Sequence, residues 1–395
     1  MRILTFTSLF PNSVSANQGI FVYQRTAALA DLAGNEVVVV SPMPYFPRWI
    51  KTKRWRSASE VPDEEVVGKL TVHHPRYLLL PKVSMLLHGI SMFLGSFLRC
   101  AALHKKFHFE CIDAHFVYPD GFAAVCLGKA LGIPVTVSAR GTDINVFPSF
   151  RLIRPMIHWT LRECASAVAV SAALKERIVE LEISAEKINV IPNGVDPLRF
   201  QRLPKTDARR RLHLPESAKV VLSVGSLSPS KGHQFVIRAF QQVSQRHRGL
   251  SLYILGEGAL RAKLENLVAE LNLQHSVQLL GGRPNEELPW WFSAADVSCL
   301  HSSREGWPNV VTESLACGTP VVATRVGGIP DILHSPELGV LVEQSVESLA
   351  EGIERALSTD WDRERISKQT RERTWHTVAE EVDAVLRAQI QRREE

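Results

Sequence analysis

The chain has 395 residues, enough for two or three domains with their own hydrophobic cores. Its 45% hydrophobic and 22% charged residues are ordinary for a soluble globular protein. The sequence contains no run of 18 charge-free apolar residues, so we predict no membrane-spanning helix. The net charge of +5 is uneven, because residues 1–195 carry 21 Lys+Arg against 15 Asp+Glu and the rest carries 25 against 26. A basic N-terminal half indicates an anionic partner such as membrane headgroups, a lipid phosphate or nucleic acid, although a solvated surface explains it equally well.

The six cysteines are scattered, lie mostly in apolar runs and form no CxxC pair or Cys/His cluster. They predict buried free thiols in a reducing cytoplasm, with neither disulfides nor a zinc site. Residues 1–7 start a strand and lack the apolar core and cleavage site of a signal peptide, so the expected location is the cytoplasm.

The first residues predict the opening of a doubly wound parallel sheet. Arg2 to Ser8 form a short apolar strand, a helix covers about Val22 to Leu32, and the four valines in Glu36 to Ser41 indicate a strand buried on both faces. Gly19 lies in the loop after the first strand, at the end where such sheets bind ligands. A glycine there allows close approach of a phosphate, but a plain turn glycine is more common, and no GxGxxG fingerprint is present.

Two stretches of the N-terminal half are candidates for membrane contact. Tyr45 to Arg56 interleaves aromatic and basic residues, which is typical of membrane surfaces, anionic acceptors or single-stranded nucleic acid, but also of a surface loop. Leu78 to Leu103 is rich in Leu, Met and Phe and predicts a helix packed on the sheet, with an apolar side that could instead lie at a bilayer interface.

Polar residues follow two further predicted strands of this half. His115 ends one of them and therefore faces the ligand-binding end of the sheet, where a structural and a functional role are equally supported. The strand Pro134 to Ser138 precedes Arg140 and Asp143. Arg140 could pair with a phosphate, and Asp143 could accept from an acceptor hydroxyl or cap the next helix.

The polar residues 197–218 mark a domain boundary. Lys219 to Gly225 then predicts the first strand of a second domain, and its loop brings Lys231 close to a helix N-terminus, where a phosphate binds well. Gly256 and Arg283 follow the next two predicted strands.

The most informative stretch runs from Ser303 to Thr324. Glu305 and Glu313 stand eight residues apart, and Gly306, Trp307, Pro308, Asn309 and Val310 lie between them. Pro308 suits a first helical turn, Val310 to Cys317 predicts a short buried helix, and the amides of Asn309 to Val311 lack intrahelical partners and so favour an anion. Taken alone, two such glutamates are more often structural than functional.

The whole phrase resembles the E-x7-E signature of retaining glycosyltransferases of family 4, which have the GT-B fold. The phrases Ala114 to Gly121 and Ile188 to Asp196 and the loop of Lys231 are similar to other phrases of the same family. Ser138 to Asn145 resembles bacterial teichuronic-acid-type transferases, which assemble cell-surface polysaccharide.

The resemblance implies an α/β GT-B fold, with two Rossmann-like doubly wound domains facing each other across a cleft. Residues 1–196, joined by a C-terminal helix at about 375–391, would bind the acceptor. Residues 197–374 would bind a nucleotide-sugar donor, a UDP- or GDP-sugar, without a required metal or other cofactor.

The resemblance also implies roles for single residues. Gly19 and Lys231 would bind the donor diphosphate, Glu305 the hydroxyls of the transferred sugar and Glu313 the ribose, while His115 would lie near the reacting carbon. The further donor-side residues are Ser226, Gly256, Arg283, Gly306, Trp307, Pro308, Asn309 and Val310. Two positions depart from the family pattern. Ser226 replaces a diphosphate-binding arginine, so either Lys231 carries the charge alone or Arg283 helps, and Arg140 replaces a histidine.

The implied reaction is retaining transfer of a sugar to an acceptor hydroxyl in cell-surface polysaccharide or glycolipid synthesis, with a sugar or lipid-linked sugar as acceptor. The enzyme would be cytoplasmic, with peripheral contact to an anionic membrane through its basic N-terminal domain and with no nucleic-acid partner. Two alternatives stay open: a GT-B-fold nucleotide-sugar epimerase, and a non-catalytic protein that binds an anionic ligand or a membrane surface.

Overall fold

A computed structural model describes residues 1–45, 58–79, 86–247 and 249–394. Residue contacts divide the chain into two compact units, one formed by Met1–Asn193 with Trp375–Glu395 and the other by Gly194–Thr374. The basic aromatic segment predicted at Tyr45 to Arg56 lies, beyond Tyr45 itself, outside the described residues.

The first unit is built on an eight-stranded sheet with the order β10-β9-β8-β7-β1-β2-β5-β4. Its neighbouring strands are parallel except for β4 and β5, and β3 pairs with β6 in a separate ribbon. The strands are β1 Arg2–Phe6, β2 Glu36–Val40, β3 Met43–Tyr45, β4 Glu64–Val67, β5 Leu70–His73, β6 Arg76–Leu78, β7 Cys111–His115, β8 Val135–Ala139, β9 Ser166–Ala169 and β10 Ile188–Val190. The helices, numbered along the whole chain, are α1 Ile20–Asp31, α2 His88–Phe107, α3 Phe122–Leu131, α4 Thr142–Asn145, α5 Arg154–Glu163, α6 Ala172–Val179 and α15 Trp375–Glu394.

The last helix of the chain, α15, belongs to the first unit. Its residues Val378, Val382 and Leu386 are buried in one cluster with Ile3 of β1 and Leu29 of α1. The three apolar positions of α15 lie four residues apart and therefore share one helical face, which packs on the unit where the chain began.

The helix predicted at Leu78 to Leu103 begins and ends later than expected. Leu78 is the last residue of β6, and α2 covers His88–Phe107. Leu78 is part of the β3–β6 ribbon because its backbone pairs with Tyr45. An apolar run of this kind gives a poor signal for the point at which a strand changes into a helix.

The second unit contains a six-stranded, fully parallel sheet with the order β13-β12-β11-β14-β15-β16. The strands are β11 Lys219–Val224, β12 Leu250–Leu255, β13 Val277–Gly281, β14 Val297–Leu300, β15 Val321–Thr324 and β16 Gly339–Val342. The helices are α7 Lys205–Arg211, α8 His233–Ser244, α9 Arg261–Glu270, α10 Leu288–Ala294, α11 Asn309–Ala316, α12 Ile329–Ile332, α13 Val346–Ser358 and α14 Arg363–Arg371. Separate hydrophobic clusters fill this unit, so it has its own core.

Both sheets have a topological switch point, where consecutive strands depart in opposite directions. In the first unit it lies between β1 and β7, and in the second between β11 and β14. Ligands of open α/β sheets bind at the carboxyl ends of the strands beside such a point. The α/β class with two doubly wound, Rossmann-like units is therefore confirmed. The loops after these four strands are the expected positions of a ligand-binding site.

Candidate active site

An ion pair joins the two loops at the switch point of the second unit. Lys231 follows β11, Glu305 follows β14, and Lys231 Nζ lies 2.5 Å from Glu305 Oε1. The same oxygen accepts a hydrogen bond from Ser302 Oγ at 2.6 Å. Both charged side chains are mostly buried, with 23% and 10% of their surface exposed, so water screens this pair weakly.

Close backbone contacts fix the two loops against each other. The backbone N–H of Ser303 donates to Ser230 O at 2.9 Å. A Cβ atom at Gly232, which has φ of 65°, would lie 1.9 Å from His301 O. A Cβ at Gly327, with φ of 54°, would lie 2.0 Å from Glu305 O. The spacing of Lys231 and Glu305 therefore depends on backbone that only glycine allows at these two positions.

Three serines occupy the loop in which the family pattern has an arginine. Ser226 Oγ is 3.1 Å from Ser228 Oγ, which is 3.2 Å from Ser230 Oγ. A row of hydroxyls can donate to phosphate oxygens but adds no charge. Arg283, proposed as a substitute, is exposed and follows the edge strand β13. Gly256 packs on the same loop, since a Cβ there would lie 1.8 Å from Gly225 O.

Helix α11 carries the second glutamate of the E-x7-E phrase. It begins at Asn309, one residue earlier than predicted, and Pro308 is its N-cap with ψ of 98° rather than its first helical residue. The N–H of Val311 donates to Pro308 O at 3.0 Å, so the prediction of a free amide is wrong for Val311. Gly306 and Pro308 are buried, and Trp307 and Val310 pack against the hydrophobic core behind them.

The carboxylate of Glu313 has no hydrogen bond or ion pair with the described residues. Burial raises the pKa of Glu313 to about 7, and the charge of Arg199 opposes that rise. A partly buried carboxyl group without a partner costs stability. It is therefore poised to accept hydrogen bonds from a ligand's hydroxyl groups.

A second polar cluster lies at the switch point of the first unit. Arg25 of α1 pairs with Asp113 of β7 at 2.6 Å, and the other oxygen of Asp113 is 3.2 Å from His115 Nε2. Arg140 Nη2 donates to His115 Nδ1. Arg25, Asp113 and His115 are fully buried, and both ring nitrogens of His115 are occupied by these neighbours.

Burial and the neighbouring Arg25 keep the ring of His115 neutral. Burial, followed by the nearby Arg25 guanidinium, lowers the pKa of His115 to about 3. Since Arg140 can only donate, Nδ1 is the accepting nitrogen and Nε2 carries the hydrogen that points to Asp113. Burial raises the pKa of Asp113, but Arg25 and His115 outweigh it and hold that pKa below its ordinary value.

The side chain of Asp143 is held by hydrogen bonds from backbone amides. Its carboxylate accepts from the amides of Val117, Arg140 and Gly141 at 2.8 to 3.2 Å. Gly19 has φ of 61° and precedes α1, and a Cβ there would lie 2.2 Å from Leu9 O. Both residues therefore shape the strand-end loops of the first unit.

Sequence reasoning missed Arg25, Asp113 and Asp120. Asp120 is fully buried, accepts from the Ser8 amide through Oδ1, and burial raises its pKa to about 7. A signal for Asp113 was present, because an acidic residue inside an otherwise apolar buried strand requires a cationic partner. Nothing local identified Arg25 as that partner.

Family comparisons agree with this geometry. Residues 18–199 match the model of Glycosyltransferase Family 4, and residues 204–373 match that of Glycosyl transferases group 1. A putative teichuronic acid biosynthesis glycosyltransferase of Bacillus subtilis is 27% identical over 97% of this chain and 95% of its own. The D-inositol 3-phosphate glycosyltransferase of Thermobispora bispora is 30% identical over 66% of each chain.

Solved structures show the same fold. Sucrose-phosphate synthase from Thermosynechococcus elongatus superposes with a TM-score of 0.78 at 22% identity, covering 98% of both chains. Anabaena HepE, in complex with UDP and glucose, gives 0.75 at 18% identity over 98% of this chain and 100% of its own. Group 1 glycosyltransferases use nucleotide-sugar donors. With both halves matched in order and the strand-end loops arranged as described, the chain is a GT-B enzyme of glycosyltransferase family 4.

Proposed function

We propose that the protein transfers a sugar, with retention of anomeric configuration, from a UDP- or GDP-sugar to an acceptor hydroxyl in the synthesis of a cell-surface polysaccharide or glycolipid. The observation that carries the proposal is the mostly buried pair of Lys231 and Glu305, together with a Glu313 carboxylate that has no partner among the described residues. The pair provides a cation and a hydroxyl-binding carboxylate from adjoining loops at a switch point. A nucleoside diphosphate sugar offers an anionic diphosphate to the cation and sugar hydroxyl groups to the carboxylate.

The bond between the anomeric carbon and the diphosphate oxygen breaks, and the diphosphate leaves with the bonding electrons. The acceptor oxygen bonds to the same face of that carbon, and its proton passes to the departing diphosphate. Negative charge therefore grows on the leaving group, and Lys231 stabilises it. Glu305 would then be released from Lys231 to accept from the hydroxyls of the sugar, and Glu313 would accept from the ribose.

An acceptor site is proposed in the first unit. A cavity of about 440 Å³ opens at the carboxyl ends of β1 and β2. Apolar residues such as Leu9 and Met43 line it together with polar Asn12, Gln18 and Tyr77. Apolar walls with a few hydrogen-bonding groups suit the faces and hydroxyls of a sugar ring.

Peripheral membrane contact is proposed through α2. Leu87, which precedes α2, and Leu94 and Leu98 within it are 52%, 64% and 79% exposed and lie on one face, to which Ile90 adds. The helix contains no acidic residue, and Lys105 and Lys106 are at its exposed C-terminal end. An apolar stripe with cationic residues favours the surface of an anionic bilayer and a lipid-linked acceptor. No helix among the described residues has the length and hydropathy needed to span a membrane.

The donor proposal is tested by the thermal shift of the purified protein with UDP, GDP, ADP and their sugars, beside Glu313→Ala. A ligand that binds the native state raises the melting temperature as its concentration exceeds Kd. We expect UDP or GDP ligands to stabilise the wild type and Glu313→Ala to lose most of that gain. Equal stabilisation of both proteins, or of neither, would contradict the assignment of the donor site.

A further inference from the structure

Arg140 forms no ion pair with a carboxylate of the residues that the structure describes. Its Nη1 donates to Asn193 Oδ1 at 3.1 Å and its Nη2 to His115 Nδ1, both of them neutral groups. Its Nε–H is buried and unpaired. No Asp or Glu of the described chain forms an ion pair with this guanidinium, whereas the neighbouring Arg25 has Asp113.

The nearby carboxylates are already engaged. Asp113 binds Arg25 with one oxygen and faces His115 Nε2 with the other, and Asp143 accepts three backbone amides. Burial, and then the charge of Arg25, lower the pKa of Arg140, while Asp113 and Asp143 offset this from a distance. A largely dehydrated guanidinium that lacks a direct counter-ion is unfavourable unless a ligand supplies one.

The surroundings hold the guanidinium in one orientation. The ring of Phe21, at the start of α1, lies 5.4 Å from Arg140 Cζ, and His115 and Asn193 fix two of its nitrogens. His115, Arg140 and Asn193 lie at or just after the ends of β7, β8 and β10, and Phe21 lies in the first turn of α1. A planar, immobilised fork at a switch point matches the two oxygens of a carboxylate or phosphate.

We propose that Arg140 is a specificity residue that binds an anionic group, a carboxylate or a phosphate, of one of the two substrates. The proposal deepens the proposed function and rests on it. A histidine, which the family pattern has at this position, would be largely neutral at pH 7, so Arg140 gives this chain a permanent charge for its substrate. The anion belongs either to an acidic sugar acceptor or to the donor diphosphate.

Calorimetric titration of the full chain distinguishes the two sources. The probes are glucuronate with glucose as its neutral counterpart, and UDP with pyrophosphate. The variants are Arg140→His, Arg140→Lys, which keeps the charge but not the fork, and Arg154→Gln as a control that removes an exposed arginine of the same unit.

We expect Arg140→His to weaken the binding of one anion by about 10- to 100-fold. The affinity of Arg140→Lys should lie between those of Arg140→His and the wild type, and Arg154→Gln should bind as tightly as the wild type. A loss confined to glucuronate identifies an acidic acceptor, and a loss confined to UDP and pyrophosphate identifies the diphosphate. Two outcomes would show that the inference about Arg140 is wrong. In the first, the wild type binds UDP, but every Arg140 variant binds all four probes with an affinity within about twofold of the wild type. In the second, the wild type does not prefer glucuronate to glucose, and the Arg140 variants bind UDP as tightly as the wild type. Failure of the wild type to bind either UDP or GDP, titrated in the same way, would instead refute the proposed function. Arg140→Lys preserves the test if Arg140→His does not fold.

Discussion

The candidate donor site keeps the lysine of the family pattern, as Lys231, but has Ser226 in place of its arginine. Ser226, Ser228 and Ser230 supply hydroxyls instead of the second charge. The stabilisation of a leaving diphosphate therefore depends on Lys231 to an unusual degree.

Lys231→Gln keeps the length and a hydrogen-bond donor and removes the charge. We expect kcat for donor consumption to fall by about 10²- to 10³-fold, because the lost interaction is strongest when charge develops on the leaving group. Release of nucleoside diphosphate measures the rate, and Lys263→Gln, on the exposed face of α9, is the matched control. A Lys231→Gln enzyme with kcat close to that of the control would contradict this role.

Glu313 makes stability depend on pH. Its pKa rises from the ordinary 4.5 to about 7 in the folded state, so folding favours the protonated form and stability falls as pH rises from about 4.5 to 7. Glu313→Gln should therefore stabilise the protein at pH 8 by up to about 3 kcal/mol and have little effect near pH 4. Thermal melts across this range test it, and an unchanged or lower melting temperature of the variant at pH 8 would oppose it.

The sequence was most informative at the residues that form the two donor-site loops. Lys231 and Glu305 were both singled out, but their contact was not, because 74 residues separate them and only the sheet order places β11 beside β14. The cluster around His115 could be predicted only in part. Arg25 and Asp113 are 88 residues apart, and an isolated buried charge does not reveal which partner neutralises it.

At the scale of the element, the predicted starts of α1 and α11 were within two residues of the observed ones, whereas that of α2 was ten residues too early. Pro308 was expected inside the first turn, but its ψ of 98° is extended, so the helix begins at Asn309. The carbonyl of Pro308 then accepts the N–H of Val311. Proline fixes φ but leaves ψ free, and the sequence alone therefore did not determine which side of the boundary it would take.

Helix α2 gives a prediction about membranes. The double variant Leu94→Ser, Leu98→Ser removes two of the most exposed leucines and should lower binding to vesicles containing phosphatidylglycerol by about 10-fold or more, since each loses more than 1 kcal/mol of apolar transfer. Leu152→Ser with Leu198→Ser, which are exposed elsewhere, is the control. Vesicle flotation is the measurement, and equal flotation of the two double variants would refute a specific contact through α2.

At the scale of the whole molecule, the chain leaves its first unit after Asn193 and returns to it at Trp375. The amphipathic period predicted a C-terminal helix, but periodicity shows only that a helix has an apolar face and not which sheet covers it. That α15 joins the first unit was implied by the family resemblance alone. Its buried face now explains the return, because Val378, Val382 and Leu386 pack with Ile3 and Leu29.

Leu386→Ala tests this packing. The side chain is fully buried in α15, and its truncation should cost about 2–5 kcal/mol of unfolding free energy through lost burial and a residual cavity. Glu380→Ala, on the exposed side of the same helix, should stay within about 0.5 kcal/mol of the wild type. Chemical denaturation provides both values, and a Leu386→Ala protein as stable as the Glu380→Ala protein would contradict the described packing.

The central claim is retaining transfer from a nucleotide sugar, and the most direct measurement is proton NMR of the sugar released during slow hydrolysis of the stabilising donor. The coupling between H1 and H2 gives the anomeric configuration before mutarotation begins. We expect the configuration of the donor to be preserved in the first product formed, at a rate that Lys231→Gln reduces. Formation of the opposite anomer, or release at the same rate by Lys231→Gln, would contradict the account.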